Sequence, residues 1–193
     1  MLFQTENTKP TEGGENTAGF SGWLYDWAEA LVTALVVIVL LFSFVVRVST
    51  VDGDSMLPTL HDEEFLLVSD LFYSPEPGDI IVAKTENFDY PIVKRVIATG
   101  GQLVDINFRT HEVRVDGVVL QETYINAPTK TPYDVTFPLV VPEGCVFVLG
   151  DNRNESSDSR DSRIGCIDER RILGQVVLRV LPISAFGNPR AGE

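Results

Sequence analysis

The chain has 193 residues and a formal net charge of −13, from 28 acidic and 15 basic side chains. Such an acidic surface argues against nucleic-acid binding, which requires a basic patch, and two cysteines are too few for a disulfide-built scaffold. The length allows one domain of ordinary size together with a membrane anchor.

The first predicted element is a transmembrane helix over residues 30–47, built on an uncharged apolar run from Ala30 to Val46. At 1.5 Å per residue this run reaches about 26 Å, close to the thickness of a bilayer core. Aromatic residues at 23, 25 and 27 lie where an interfacial belt is expected. A cleaved secretory signal is disfavoured because the preceding stretch is acidic and no small-x-small site follows. A buried core helix is disfavoured because nothing else in the chain is long enough to enclose it.

Residues 1–29 are predicted to form a tail. The part up to Ser21 is rich in Glu, Thr, Asn and Gly, a composition typical of disorder. The basic residues do not orient the anchor, because Lys9 is the only one before the apolar run and Arg47 follows it directly.

Residues 48–193 predict an all-β domain of the barrel or sandwich type. Eleven prolines and fifteen glycines punctuate short apolar runs and disfavour long helices. Asp116-Gly117 is a strong signal for a two-residue hairpin. Strands are predicted at 64–68, 79–83, 92–98, 112–115, 118–121, 146–149 and 173–180.

Two short segments carry candidate chemistry. The first, V-D-G-D-S-M-L-P-T-L over residues 51–60, places Ser55 between a flexible Gly53 and a stiffening Pro58. The second, Y-P-I-V-K-R-V-I over 90–97, places Lys94 in a strand.

A serine hydroxyl needs a base before it becomes a good nucleophile. Lysine can be that base when burial lowers its pKa. In a strand, Lys94 shares a face with Ile92 and Val96, which supplies apolar neighbours. The alternatives are a turn serine at 55 and a surface lysine at 94.

A P-G-D-I-I-V segment (77–82) and a G-D-N-R-N-E-S-S-D-S-R segment (150–160) complete an ordered set of motifs. Together they span roughly residues 30–175, behind the apolar run. The chain in this respect resembles the type I signal peptidase (leader peptidase) family. That resemblance implies a membrane-anchored serine protease with a Ser/Lys dyad, a β-barrel or sandwich catalytic domain and a small insertion at about 101–141.

The resemblance also implies the reaction and its location. The enzyme would remove signal peptides from secreted preproteins, cutting after small residues in an Ala-x-Ala pattern. Its N-terminal tail would be cytoplasmic, and its catalytic domain would lie outside the plasma membrane. The expected partners are preproteins and the lipid bilayer, with no nucleic acid, metal or cofactor. The two histidines and two cysteines lack the spacing of metal ligands.

Matching positions imply roles for individual residues. Ser55 would form the acyl-enzyme, and Lys94 would be the general base. Within the 150–160 segment, Ser156 would hydrogen-bond the lysine and Asp158 would pair with Arg160. A second expected ion pair joins Asp151 to Arg95. The alternative for this segment is a solvated charged turn.

The oxyanion site is less fully specified. The backbone N–H of Ser55 is the first candidate donor, but Gly53 stands where some family members carry a serine hydroxyl, so the second donor stays open. The predicted lining of the substrate pocket consists of Met56, Leu57, Pro58, Ile80 and Ile92.

Two features are left with alternatives. An apolar set could equally lie on lipid or in the core; it comprises Leu66, Leu67, Leu71, Phe72 and Tyr73. Cys145 and Cys166 flank the 150–160 segment and could form a disulfide, but two small core residues are the favoured interpretation.

Three other functions compete. A Ser-His-Asp hydrolase would need His61 or His111, the only histidines. A self-cleaving regulator of the SOS-repressor type would need a DNA-binding or partner module and an internal cleavage segment. A tethered β module without activity would leave Ser55 unlabelled by an acylating inhibitor.

Overall fold

A computed structural model describes residues 16–189, with side chains described over 22–40 and 46–189. Its contacts divide the chain into two compact units that meet between Ser43 and Phe44.

The first element that the structure describes is one long helix, α1 (Asn16–Val45). The segment Gly22–Leu40 has a mean hydropathy of 1.7 and no buried residues. It is long and apolar enough to cross a membrane by length and composition. The helix begins well before Ala30, so residues 16–29 are helical where the sequence predicted a tail, and residues 1–15 lie outside the described part of the chain.

The second unit is mostly β, as predicted, and the fold class is confirmed by a curled antiparallel sheet. Its strands are β1 (Val46–Thr50), β2 (Phe65–Ser69), β3 (Ile80–Ala83), β4 (Ile92–Thr99), β5 (Leu103–Asn107), β6 (Glu112–Val115), β7 (Val118–Val119), β8 (Leu139–Val140), β9 (Cys145–Leu149), β10 (Ile167–Asp168) and β11 (Ile172–Leu181).

The larger sheet has the order β1-β2-β11-β3-β4-β9-β10, and every pairing in it is antiparallel. Both faces of its centre are buried. On β3, Ile80 and Val82 enter one apolar cluster, while Ile81 and Ala83 enter another. Because β4 lies between β3 and β9, the lysine strand is held on both edges.

The smaller sheet has the order β7-β6-β5-β8 and falls within the segment 101–141. Its hairpin turns at Asp116 and Gly117, whose φ angles are 51° and 80°. Positive φ at both positions is type I′ geometry, which suits the two-residue hairpin predicted from this dipeptide. An apolar cluster joins this sheet to Phe147 and Leu149 of β9.

The apolar set at positions 66, 67 and 71–73, for which core and lipid contact were equal alternatives, contains both buried and exposed residues. Leu66 is fully buried, whereas Leu71 is 55% and Phe72 96% exposed. Tyr73 donates a hydrogen bond from its hydroxyl to Asp79.

Both cysteines are free thiols, partly buried against the cluster around β9. Burial raises the pKa of the Cys166 thiol to about 11, so the protonated form predominates at neutral pH.

Candidate active site

Ser55 lies in the turn that follows β1. This loop starts where Gly53 adopts a φ of 82° and donates its N–H to Asp62 at 2.8 Å. Past Ser55, the N–H of Leu60 donates to the carbonyl of Met56 at 3.0 Å. Since Met56 and Leu60 are buried in the apolar core, the nucleophile candidate is presented on a loop anchored at both ends.

Lys94 meets Ser55 from the middle of β4. Its Nζ donates hydrogen bonds to Ser55 Oγ at 2.7 Å and to the carbonyl of Val93 at 2.9 Å. The side chain is 4% exposed and lies between Ile92 and Val96 in the alternation of β4, as predicted.

Burial has a direct effect on this lysine. It lowers the pKa of Lys94 from 10.5 to about 8, although the negative charges of Asp158 and Asp151 oppose that shift. Desolvation disfavours the ammonium form more than the two carboxylates favour it. A substantial neutral fraction is therefore available at mildly alkaline pH.

The predicted pair of Arg95 and Asp151 is present and buried. Arg95 donates to both oxygens of Asp151, at 2.8 and 2.6 Å, and also to the carbonyl of Gly78. Asp151 accepts a further hydrogen bond from the hydroxyl of Thr59 at 2.5 Å. The pair thus connects the lysine strand to the loop that carries Ser55.

The predicted pair of Asp158 and Arg160 is also present, with both side chains fully buried. Arg160 donates to both oxygens of Asp158 at 2.8 Å and to the carbonyls of Arg153 and Thr131. Asp158 accepts from the N–H of Gly150 at 3.1 Å. Most of this segment, including both charged side chains of the pair, is therefore buried, and it is not a solvated charged turn.

Ser156 differs from its predicted role. Its hydroxyl contacts the carbonyl of Ser157 at 3.4 Å, and the hydrogen bonds of Lys94 in the described part of the chain go to Ser55 and Val93. Ser156 is nevertheless fully buried. A Cβ at Gly150 would overlap Ser156 Oγ and the Ser55 carbonyl, so a glycine is required for this close approach.

A cleft of about 190 Å³ opens beside Ser55 and Lys94. Of the predicted lining, Met56 and Ile92 border it. Ile80 is buried in the core instead, and Pro58 lines a different cavity. The sequence did not predict the other lining residues, which include Thr50, Val51, Phe88, Tyr90, Ser157 and Ile164.

The histidines do not supply a base. His61 Nδ1 lies 3.6 Å from Glu64, and His111 Nδ1 lies 3.3 Å from the carbonyl of Thr129. Within residues 16–189, the side chain that hydrogen-bonds Ser55 Oγ is Lys94. The described residues also contain no cluster of metal ligands.

Several site residues were missed by sequence reasoning. Arg153 is fully buried, donates to the carbonyl of Gly150 and forms an ion pair with Glu122 of the 101–141 segment. Arg95 stacks on Tyr124 at 4.0 Å from the ring centroid. Asn152 contacts the backbone beside Ser55. The density of polar residues in 150–160 was a signal for Arg153 and Asn152, whereas nothing local marked Glu122 or Tyr124.

Comparison with known proteins identifies the family to which the chain belongs. The family described as "Signal peptidase, peptidase S26" matches residues 24–181. The probable signal peptidase I-1 of Synechocystis sp. (strain ATCC 27184 / PCC 6803 / Kazusa) is 39% identical over 169 residues, covering 81% of this chain and 82% of that protein. Signal peptidase I of Bacillus licheniformis is 35% identical over 161 residues, covering 78% and 85% respectively.

A solved structure gives a further match. Signal peptidase I from Enterococcus faecalis V583 is 29% identical, with a TM-score of 0.46, covering 54% of this chain and 97% of that one. The family match includes most of the chain and both candidate segments. The chain therefore belongs to the signal peptidase family, peptidase S26, and is a serine peptidase of the signal peptidase I type.

Proposed function

We propose that the chain cleaves preproteins by acyl transfer, with Ser55 as nucleophile and neutral Lys94 as general base. The observation that carries this proposal is the 2.7 Å contact between Nζ and Oγ, made by a lysine that is only 4% exposed. The carbonyl of Val93 accepts one Nζ hydrogen. In the neutral amine this leaves the lone pair available to the Ser55 hydroxyl.

The reaction then follows two proton cycles. Lys94 accepts the Oγ proton as Ser55 attacks the scissile carbonyl, and the ammonium returns that proton to the leaving amine. Lys94 next deprotonates the water that attacks the acyl-enzyme, and the ammonium protonates Ser55 Oγ as the peptide leaves. The N–H of Ser55 is the proposed donor to the oxyanion in both steps.

We also propose cleavage after small residues of the Ala-x-Ala type. The cleft beside Ser55 has a volume of about 190 Å³ and is bordered by the apolar side chains of Met56 and Ile92. Contact of these apolar side chains with the residue before the cleaved bond suits the methyl group of alanine. Changing the residue before the cleaved bond from Ala to Leu therefore provides a substrate control.

The test is cleavage of a membrane-embedded preprotein by wild type, Ser55→Ala and Lys94→Ala between pH 6 and 9. Both folded variants should be inactive. The wild-type kcat/KM should rise with pH through a midpoint near 8, because Lys94 must lose its proton before it can accept one from Ser55. A rate that falls over this range for a stable enzyme, or activity that survives Lys94→Ala, would contradict the dyad.

We propose that the catalytic domain contacts the outer leaflet of the plasma membrane, with the N-terminal tail in the cytoplasm. Val46 is the first residue of β1, and it pairs with Ser69, the last residue of β2. The exposed Leu71 and Phe72 follow Ser69 directly, so they lie at the end of the sheet where the chain enters the domain. Two large apolar side chains at that end support lipid contact.

Phe72→Asn tests the lipid contact, since asparagine tolerates the φ of 52° at this position. In proteoliposomes we expect slower cleavage of a membrane-embedded preprotein and unchanged cleavage of a soluble peptide. Ile183→Asn removes another exposed apolar side chain, 80% exposed, outside this loop. Equal losses in both variants, or none in either, would refute a specific contact at Phe72.

A further inference from the structure

Asn152 binds the backbone on both sides of the nucleophile. Its N–H donates to the carbonyl of Ser55 at 3.1 Å. Its side-chain Nδ2 donates to the carbonyl of Asp54 at 3.0 Å. Asn152 is 6% exposed, so both contacts are shielded from competing water.

The hydrogen bond to the Asp54 carbonyl also orients the neighbouring N–H group of Ser55. The Asp54 carbonyl and the Ser55 N–H belong to the same peptide unit, which is planar and points these two groups in opposite directions. Restraining the carbonyl therefore sets the direction of the N–H. That N–H is the donor proposed above for the oxyanion, and its value depends on alignment with a developing charge.

A second asparagine sets the orientation of the first. Asn126 donates from Nδ2 to Asn152 Oδ1 at 2.7 Å. An amide side chain has one donor end and one acceptor end, so a donor placed at Oδ1 directs Nδ2 of Asn152 toward Asp54. Asn126 lies between β7 and β8, in the segment 101–141. The smaller sheet and its connections thereby reach the catalytic loop.

We propose that Asn152 is a positioning residue that aims the oxyanion-binding N–H of Ser55, and that Asn126 holds Asn152 in its working orientation. This inference rests on the proposed Ser55 and Lys94 chemistry. It gives the segment 101–141 a part in catalysis through one side chain, beyond its contribution to packing.

The chain offers a matched control in Asn154. This residue belongs to the same 150–160 segment and also bonds the 101–141 segment. Its Oδ1 accepts from the N–H groups of Lys130 and Thr131, and its Nδ2 donates to the carbonyl of Pro128. Its hydrogen bonds in the described part of the chain do not involve residues 54 or 55. Asn154→Ala therefore removes comparable loop contacts without touching the nucleophile.

The experiment compares Asn126→Ala, Asn152→Ala and Asn154→Ala in the full-length protein, with a cleavable peptide and a peptide aldehyde. The aldehyde forms a tetrahedral adduct with the serine whose oxygen occupies the oxyanion position. Asn126 is exposed, so its variant should fold normally. We expect kcat to fall about tenfold in Asn126→Ala and about a hundredfold in Asn152→Ala.

Further measurements distinguish a misaligned Ser55 N–H from a general disruption of the loop. KM and the pH midpoint of kcat should stay at wild-type values in Asn126→Ala, while aldehyde affinity weakens in proportion to kcat. Asn154→Ala should keep kcat within about twofold. Wild-type kcat and aldehyde affinity in Asn126→Ala, or equal losses in Asn154→Ala, would overturn the inference. Full activity in Ser55→Ala would instead overturn the underlying function, so the two failures are distinguishable.

Discussion

Replacing Lys94 with methionine should abolish cleavage and at the same time make the folded protein more stable near neutral pH. Loss of a general base lowers a rate by about 10²–10⁴-fold. Burial lowers the pKa of Lys94 from 10.5 to about 8. A difference of that size corresponds to about 3 kcal/mol of free energy that opposes folding when the lysine is protonated in the unfolded state.

The pH dependence distinguishes this effect from simple repacking. Between about pH 8 and 10.5 the unfolded chain carries a proton on Lys94 that the folded chain has released, so wild-type stability rises with pH through that window. Below about pH 8 the protein pays the full free-energy cost of burying a protonated Lys94. The stability advantage of Lys94→Met should therefore be largest at pH 7 and should shrink toward pH 10.

Thermal or denaturant unfolding of the full-length protein in detergent, at pH 7 and pH 10, measures the difference in stability between Lys94→Met and wild type. Lys84→Met is the control, because Lys84 is an exposed lysine just after β3 and its replacement removes the same side chain without relieving burial. If Lys94→Met were less stable than wild type by the same amount at both pH values, burial of the lysine would not oppose folding.

The second large effect concerns Arg160. Three Asp-x-Arg pairs occur in the chain with the same spacing and the same bidentate contacts, at 158/160, 161/163 and 168/170. The exposed fraction of the arginine rises along the series from 0% to 63% and 89%. The molecule therefore contains a burial series in which the chemistry of the pair is nearly constant.

We expect Arg160→Met to lower the free energy of unfolding by about 3–5 kcal/mol, because it leaves the charge of Asp158 buried without a partner. Arg170→Met should have no measurable effect, since its pair is open to solvent. Arg163→Met should fall between them. Denaturant unfolding of the three variants at one pH orders the series.

A double variant identifies the cause. Adding Asp158→Asn to Arg160→Met removes the uncompensated charge and should recover part of the lost stability. If the double variant were no more stable than Arg160→Met alone, lost packing or lost bonds to main-chain carbonyls would explain the effect. Equal destabilisation by Arg160→Met and Arg170→Met would contradict the dependence on burial.

Local chemistry predicted much of this structure. The alternation around Lys94 predicted a strand with an apolar face, and the Asp116-Gly117 dipeptide predicted a hairpin; both are present. Both motif ion pairs are formed. These features depend on residues close in sequence or on a shared motif, which is information that a single chain contains.

The missed elements depend on distant partners. The strand β10 has two residues and is defined by its pairing with β9, and β8 is likewise defined by its pairing with β5. The strand β1 follows the apolar run without a break, so its V-R-V-S-T sequence was not separable from the anchor by pattern alone. Short strands of this kind acquire their structure from the sheet they join.

Side-chain orientation was the other limit. The motif identified Ser156 but not the direction of its hydroxyl, which contacts Ser157 and not Lys94. The tail prediction also failed over residues 16–29, where polar composition was outweighed by continuity with the apolar helix. Composition reports average tendency, whereas helix extent depends on cooperative propagation from a stable segment.

The three buried guanidinium groups near the catalytic loop have a consequence for the medium in which the protein works. Arg95, Arg153 and Arg160 each bind a carboxylate and a main-chain carbonyl, and each is at most 1% exposed. Dissolved ions screen such enclosed charges far less than they screen charges at a surface. The framework around Ser55 and Lys94 should therefore tolerate wide changes in salinity, while exposed pairs such as Asp168 and Arg170 weaken as salt is added.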